Sequence, residues 1–195
     1  MTQEEILELF RKSEALLDGH FVLTSGLHSA QYFQCAKVLQ FPEYSRKLCY
    51  EIAKHFSEHT IDVVIAPAVG GIVVGYEVAR QIGAKSIFAE RESGKMTLRR
   101  GFKLYEGDRV VVCEDVTTTG GSVNEIIGLV QEAGARLMGV GCIVDRSGGK
   151  FAPNTRFISC MKMDVVTYQP NECPMCAKGI PIEKPGSRAL SAAKA

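Results

Sequence analysis

The chain has 195 residues, with 23 basic and 22 acidic side chains and a formal net charge of +1. Its length suits one domain over residues 1–195, and its balanced charge leaves no long basic face for nucleic acid. No stretch approaches the roughly 18–20 apolar residues of a membrane span, and the amino terminus lacks the layout of a signal peptide. We therefore expect a cytoplasmic protein that binds neither nucleic acid nor a membrane.

The predicted elements begin with a helix. Thr2 and Glu5 form a capping box, and apolar residues follow at helical spacing up to Gly19. Apolar pieces at 21–23 and 31–33 flank a polar turn and predict two short strands. A second helix is expected from Pro42 to about residue 59.

From residue 61 the pattern changes to uniformly apolar strands alternating with helices. A strand and loop are expected within 62–71, further strands at 85–90, 108–115 and 137–146, and helices at 71–83 and 122–134. Buried strands separated by helices predict an α/β fold with a parallel sheet covered on both faces. Residues 91–107 contain no crossover helix, and a loop of this length is usually functional or mobile.

The stretch VVVCEDVTTTGGSV, residues 110–123, places two acids and a run of Thr, Gly and Ser at the end of a strand. Ligands collect at this edge of an α/β sheet, and the following helix offers free N–H groups to a phosphate. Neither the Walker A lysine nor the Gly-x-Gly-x-x-Gly pattern is present. Because carboxylates accept hydrogen bonds from a diol, the stretch fits a sugar 5-phosphate. The alternative is a capped helix preceded by two solvated acids.

The seven cysteines include one close pair, Cys173 and Cys176 in CPMC. The other five stand singly and suit reduced, buried thiols. A structural zinc site needs two more ligands, and His20, His28, His55 and His59 lie far upstream. We interpret the pair as reduced thiols in a loop; a metal shared with other cysteines or across a dimer is the alternative.

Residues 110–122 resemble the PRPP-binding motif of the type I phosphoribosyltransferases. FVLTSGLHSAQYF, APAVGGI, IVDRSGG and CPMCAKGIPIEKPGSR are similar to segments of the orotate phosphoribosyltransferases, so the resemblance covers nearly the whole chain. It implies a type I phosphoribosyltransferase-like fold, a central parallel sheet flanked by helices. Residues 61–150 would form the PRPP-binding core, and residues 1–40 with the C-terminal segment a small hood.

The resemblance also assigns roles by position. Glu114 and Asp115 would hold the ribose hydroxyls. The residues that would wrap the 5-phosphate are Val116, Thr117, Thr118, Thr119, Gly120, Gly121 and Ser122. Those that would meet pyrophosphate through backbone amides are Ala68, Val69, Gly70 and Gly71, with a cis peptide expected between Ala68 and Val69.

Orotate contacts would fall on Thr118 and Arg146. A guanidinium can pair bidentately with the orotate carboxylate, although Asp145 and Arg146 could instead form an ion pair at a strand end. Phe33 is expected to wall the pyrimidine ring, with a place in the core as its alternative.

Four cations would neutralise pyrophosphate: Arg91, Lys95, Arg99 and Arg100. The sequence departs here from the family's Arg-Lys-x-x-Lys-x-His run, since Glu92 replaces a lysine and no histidine follows. Lys95 is our first choice for the catalytic cation, beside Glu114 and Asp115. The family's lysine near the start is also absent, with Thr24 preceding Ser25.

The implied activity is a pentosyl transfer in pyrimidine biosynthesis, from PRPP to N1 of orotate, giving orotidine 5′-monophosphate and pyrophosphate. Mg²⁺ is the expected cofactor, held mainly by PRPP and water with no protein ligand. The family's loop reaches a neighbouring subunit, which implies a homodimer. The alternatives are a purine or uracil phosphoribosyltransferase and a PRPP-sensing regulator.

Overall fold

The protein is described by a computed structural model, which covers residues 1–23 and 25–185. Thr24 lies outside the described residues. So do residues 186–195, most of the tail KPGSRALSAAKA, for which the sequence predicts loose order.

The first helix, α1 (Gln3–Lys12), begins with the predicted capping box. The Glu5 N–H donates to Thr2 Oγ1 at 3.2 Å, and the Thr2 N–H donates to Glu5 Oε2 at 2.7 Å. The expected extension to Gly19 is wrong, because residues 16–22 form a strand, β1 (Leu16–Val22). Glu14 has a φ of 53°, which ends the helical path, and pairing with β2 (His28–Phe33) buries Leu16 instead.

Two helices follow this hairpin. The short α2 (Cys35–Leu39) is not predicted by the sequence pattern. The next helix, α3 (Pro42–Ala53), begins at the expected proline and ends six residues before His59.

The central sheet has six strands in the order β5-β4-β3-β6-β7-β8, and only the β4–β5 pair is antiparallel. Its strands are β3 (Val63–Pro67), β4 (Lys85–Glu92), β5 (Lys95–Leu98), β6 (Arg109–Thr117), β7 (Arg136–Asp145) and β8 (Phe157–Lys162). The connecting helices are α4 (Gly70–Ile82) and α5 (Gly121–Glu132). The α/β architecture is confirmed; β8 was not predicted.

Helices cover both faces of this sheet. Helices α1, α3 and α4 supply buried side chains to one apolar cluster, and α5 supplies them to the other. Strand β3 is buried along its whole length, as expected for a central parallel strand. In the described part of the chain, no helix combines the length and apolar character needed to cross a membrane.

The predicted long loop at 91–107 is partly a β-hairpin, which corrects that expectation. Strand β4 continues to Glu92, turns through Ser93 and Gly94, and returns as β5. Met96 is buried while Lys95 is exposed, so β5 packs one face on the core.

A second sheet joins the two ends of the chain. Its order is β1-β2-β9, where β9 is Thr167–Tyr168. A 3-10 turn (Pro170–Glu172) and α6 (Pro174–Ala177) follow, and Glu183 then bridges Phe21 of β1. The C-terminal segment therefore lies against the N-terminal hairpin.

Candidate active site

Two neighbouring carboxylates lie near the carboxyl end of β6. Glu114 is buried and Asp115 is half-buried. The Asp115 N–H donates to Glu114 Oε1 at 3.0 Å, and the Val116 N–H donates to Asp115 Oδ1 at 2.8 Å. Burial, and next the neighbouring Asp115, raise the pKa of Glu114 well above its usual range. The pair therefore favours a ligand that supplies hydrogen-bond donors or positive charge.

The loop at residues 68–71 packs directly on these acids. The peptide between Ala68 and Val69 is cis, which confirms the expectation for this position. A Cβ on Gly70 would overlap the Asp115 carboxylate, and one on Gly71 would lie 3.1 Å from Glu114 Oε1. Only glycine allows this approach, so the loop predicted to meet pyrophosphate lies in direct contact with the acids predicted to hold the ribose.

The loop between β6 and α5, residues 118–120, forms an open cavity of about 260 Å³. We call them the phosphate loop and the phosphate cavity after the role that the sequence predicts. The walls of the cavity are Glu114 and residues 116–123.

Gly120 precedes α5 with a φ of 75°, and a Cβ there would overlap the Phe151 ring. The N-cap residue of α5, Gly120, has no side chain to cap the helix, and Thr119 Oγ1 accepts the Gly121 N–H at 3.4 Å. The next N–H groups of α5 and the partial positive charge at its amino end thus face the cavity, an arrangement that binds phosphate.

Arg146 follows the end of β7, the neighbour of β6. Its N–H donates to the Thr117 carbonyl at 2.7 Å, which places it beside the phosphate loop. Its guanidinium is half-buried, and burial lowers the pKa of Arg146. Within residues 1–23 and 25–185 it forms no salt bridge, and its Nε is buried without a hydrogen-bond partner.

The alternative of a strand-end ion pair is not what the structure contains. Asp145 Oδ1 accepts the Ser147 N–H at 2.9 Å, and no salt bridge joins Asp145 to Arg146 in the described chain. A half-buried cation without an acid partner is costly unless an anion completes it. Arg146 is therefore a candidate anion-binding group.

The two other predicted orotate contacts differ in their surroundings. Thr118 is exposed on the phosphate loop. Phe33 packs edge-on against Phe10, with ring centroids 5.1 Å apart, at the margin of the larger apolar cluster. This contact favours the core role for Phe33, although Cys35, two residues on, places its Sγ 4.0 Å from the Asp115 carbonyl.

Three of the four predicted loop cations are paired with acids. The pairs are Arg91 with Glu125 at 2.6 Å, Arg99 with Glu92 at 3.4 Å and Arg100 with Glu90 at 2.9 Å. Lys95 is exposed and forms no salt bridge with any described residue. Among the four, Lys95 is thus the cation that can bind a substrate without first leaving a partner.

Sequence reasoning missed the role of Glu125. This residue lies in α5, just after the phosphate loop, and accepts both the Arg91 guanidinium and the Met96 N–H at 3.1 Å. It holds the turn end of the hairpin, and so the backbone next to Lys95, against α5, the helix whose amino end lies at the phosphate cavity. An acid one turn into that helix was visible in the sequence, but its partner depends on how the hairpin packs.

The chain matches the phosphoribosyl transferase domain family over residues 39–174. It is 56% identical over 189 residues to an orotate phosphoribosyltransferase of Chlorobium phaeobacteroides, covering 97% of this chain and 98% of that protein. It is 54% identical to an orotate phosphoribosyltransferase of Caldanaerobacter subterraneus, covering 97% of this chain and 100% of that protein.

A solved structure supports the same fold at lower identity. The orotate phosphoribosyltransferase of Aeropyrum pernix superposes with a TM-score of 0.69 at 24% identity, covering 81% of this chain and 93% of that one. At this identity the likeness concerns the fold alone.

Proposed function

The chain belongs to the orotate phosphoribosyltransferase family, and we propose that it transfers the 5-phosphoribosyl group of PRPP to N1 of orotate. The bond from ribose C1 to the pyrophosphate oxygen breaks, with its electron pair leaving on pyrophosphate, and a bond from C1 to N1 forms as N1 releases its proton. The products are orotidine 5′-monophosphate and pyrophosphate, in the route to UMP.

The choice of orotate as the base rests on Arg146. Its half-buried guanidinium adjoins the phosphate loop and lacks an acid partner among the described residues. Orotate differs from uracil by a carboxylate, which a planar guanidinium can bind bidentately. Adenine and hypoxanthine offer no such anion, so this group would be left unsatisfied with either.

The placement of PRPP follows from the shape of the site. We place the 5-phosphate at the amino end of α5, the ribose hydroxyls on Glu114 and Asp115, and the pyrophosphate along residues 68–71. The contact of Gly70 with the Asp115 carboxylate supports one continuous binding surface for these three groups.

The acids have a further role in the transfer step. Positive charge develops on the ribose ring as pyrophosphate departs, and carboxylates held beside the ring stabilise it electrostatically. The raised pKa of Glu114, which burial and the neighbouring Asp115 cause, supports a site that holds both negative charges only when positive charge or hydrogen-bond donors are bound beside them.

The two neighbouring carboxylates also suit Mg²⁺, a hard cation bound by oxygen ligands. Glu114 and Asp115 would hold it through the ribose hydroxyls and water. When bound, it neutralises charge on the leaving pyrophosphate. Lys95 would add a second positive charge there, while the loop excludes water from the activated sugar.

We further propose a homodimer in the cytoplasm, in which the β4–β5 hairpin serves the neighbouring subunit's site. Residues 1–40 and the C-terminal segment would act as the hood. The separate small sheet formed by β1, β2 and β9 supports this division.

The test is a comparison of bases under identical conditions. Pyrophosphate release from PRPP is measured with orotate, uracil, hypoxanthine or adenine, and we expect turnover with orotate alone. Turnover with another base and none with orotate would replace the proposal by the corresponding transferase. No turnover with any base, together with a PRPP-dependent gel shift of DNA, would favour a regulator.

A further inference from the structure

A second cluster of chemically reactive side chains lies beside the small sheet. The proposed transfer reaction gives none of them a role. His20 on β1, His28 on β2, Cys173 and Cys176 bring one donor atom each to within 4.8 Å of all the others. His20, His28 and Cys173 are buried, and Cys176 is at the surface. Spacing along the sequence had left the cysteine pair without further ligands, yet the fold brings two histidines to it.

Four of the six distances between these donors match those of a four-coordinate metal site, and the other two are within 4.8 Å. His20 Nε2 lies 3.1 Å from His28 Nδ1, 3.5 Å from Cys173 Sγ and 3.6 Å from Cys176 Sγ. Cys176 Sγ lies 3.3 Å from His28 Nδ1. Zinc bonds of about 2.05 Å to nitrogen and about 2.3 Å to sulfur place tetrahedral donors about 3.3 Å (N to N) and about 3.6 Å (N to S) apart.

Hydrogen bonding alone does not account for this arrangement. His20 Nδ1 lies 2.8 Å from the Ile180 carbonyl, and a carbonyl only accepts, so Nδ1 carries the proton. The other ring nitrogen, Nε2, then has one lone pair to accept with. Three atoms that could donate a hydrogen bond lie close to it at once: His28 Nδ1, Cys173 Sγ and Cys176 Sγ. One lone pair satisfies one well-formed hydrogen bond, whereas a cation at the centre uses a lone pair from every ligand.

The contact with Ile180 is also the kind of support that metal-binding histidines use. A ligating imidazole commonly donates its other N–H to a carbonyl or carboxylate, which fixes both tautomer and ring orientation. Here that carbonyl belongs to the C-terminal segment itself, four residues beyond Cys176.

We propose that His20, His28, Cys173 and Cys176 bind one Zn²⁺ in a closed tetrahedral site. Two sulfur and two nitrogen ligands are typical of structural zinc, and four protein ligands leave no position open for substrate. A Rieske-type cluster would place the histidines and the cysteines on different irons, whereas here His20 Nε2 lies within 3.6 Å of both sulfurs.

The metal would fasten the C-terminal segment to the N-terminal hairpin. The ligands on β1 and β2 are more than 140 residues from the cysteine pair, and the pairing between β2 and β9 involves two residue pairs, His28 with Tyr168 and Ser29 with Thr167. A ligand that binds the folded arrangement and not the separated segments stabilises the former. The site would therefore act on stability, apart from the transfer chemistry.

The first experiment measures metal content in untagged protein purified without added metal. We expect about one zinc per chain. Cys173→Ser and His28→Gln should each lose most of it. Two matched controls should retain it: Cys160→Ser, whose hydroxyl can still donate to the Leu48 carbonyl, and His59→Gln at an exposed position. Protein that contains no zinc and does not take it up from buffer would overturn the proposal.

The second experiment does not depend on the variants folding. Wild-type protein is stripped with a chelator and titrated with Co²⁺ or Zn²⁺. Binding of Co²⁺ to the stripped protein should release up to two protons from the thiols and give the visible bands of a tetrahedral site with thiolate charge transfer. Zn²⁺ should then displace Co²⁺ and abolish these bands. The melting temperature should fall on stripping and return with Zn²⁺. A cobalt spectrum without thiolate bands, or an unchanged melting temperature, would overturn the assignment. Neither experiment uses orotate or measures turnover. A negative result would therefore overturn the zinc site and leave the proposed transferase activity untouched.

Discussion

In the described part of the chain, the arginines on the β4–β5 hairpin are in salt bridges, but the charged side chains at the carboxyl edge of β6 and β7 are not. At the edge, Glu114 is buried with a raised pKa, and Arg146 has no acid partner among the described residues. On the hairpin, three arginines form exposed ion pairs. Exposed pairs contribute little to stability, whereas buried groups without partners cost free energy. The fold therefore keeps unsatisfied groups where a ligand can complete them.

The largest expected effect concerns Lys95, the hairpin cation that has no salt-bridge partner among the described residues. Lys95→Ala should lower kcat by about 100- to 1,000-fold, because a positive charge that stabilises the departing pyrophosphate is lost. Steady-state kinetics with saturating PRPP and orotate measure it. The matched variant Arg100→Gln should lose less, since Arg100 already pairs with Glu90. Equal losses would show that pairing in the free enzyme does not predict function.

Arg146 tests the unsatisfied group at the sheet edge. Arg146→Met should raise KM for orotate by about 10- to 100-fold, as expected for losing a charged hydrogen-bond pair, while KM for PRPP stays near that of the wild type. Arg136→Met, at the exposed start of the same strand, is the control. A parallel rise in both KM values would mean that Arg146 supports the loop rather than the base.

Gly70 tests whether the pyrophosphate loop and the acids form one site. In Gly70→Ala, the added Cβ must displace the Asp115 carboxylate, and we expect PRPP affinity to fall by about 10-fold. Calorimetric titration with PRPP measures this. Gly128→Ala in α5 has open space around its Cβ and should bind PRPP normally. Unchanged affinity in Gly70→Ala would separate the two loops functionally.

The last effect is on stability and not on turnover or binding, and it is the pH dependence of unfolding that comes from Glu114. Because its folded pKa is raised to about 9, its favourable contribution is complete below the unfolded pKa of about 4.3 and declines as pH rises from there through the folded pKa. Glu114→Gln should remove a loss in unfolding free energy of up to about 4 kcal/mol between pH 5 and pH 8, since each pH unit in this window corresponds to about 1.4 kcal/mol. Urea unfolding of the ligand-free proteins at both pH values measures the difference.

Glu90→Gln is the control for this measurement. Arg100 holds the pKa of Glu90 below its usual range, so Glu90 is ionised in both folded and unfolded chains from pH 5 to 8. Its replacement should leave the pH dependence in that window unchanged. A Glu114 variant with the same pH dependence as the wild type would contradict the buried, protonated carboxyl.

Local patterns predicted the elements that carry the site. Buried apolar runs placed β3, β6 and β7, and glycines placed the ends of α4 and α5, because these signals depend on neighbours within a few residues. The same reasoning failed at Leu16 and Leu17. Their spacing predicted a helix, but both residues lie in β1 and pair with β2. It also missed β5, whose strand signal is only four residues long.

The amino-acid sequence by itself determined the order of acids, glycines and helix start on which the proposed sugar-phosphate site rests, since β6, the loop and the amino end of α5 follow one another directly along the chain. Only the tertiary structure decided which charges stay unsatisfied, how Gly70 meets Asp115, and that His20 lies beside Cys173, 153 residues away. Contacts of that kind depend on strand order and on the packing of distant segments, which no local pattern of side chains encodes.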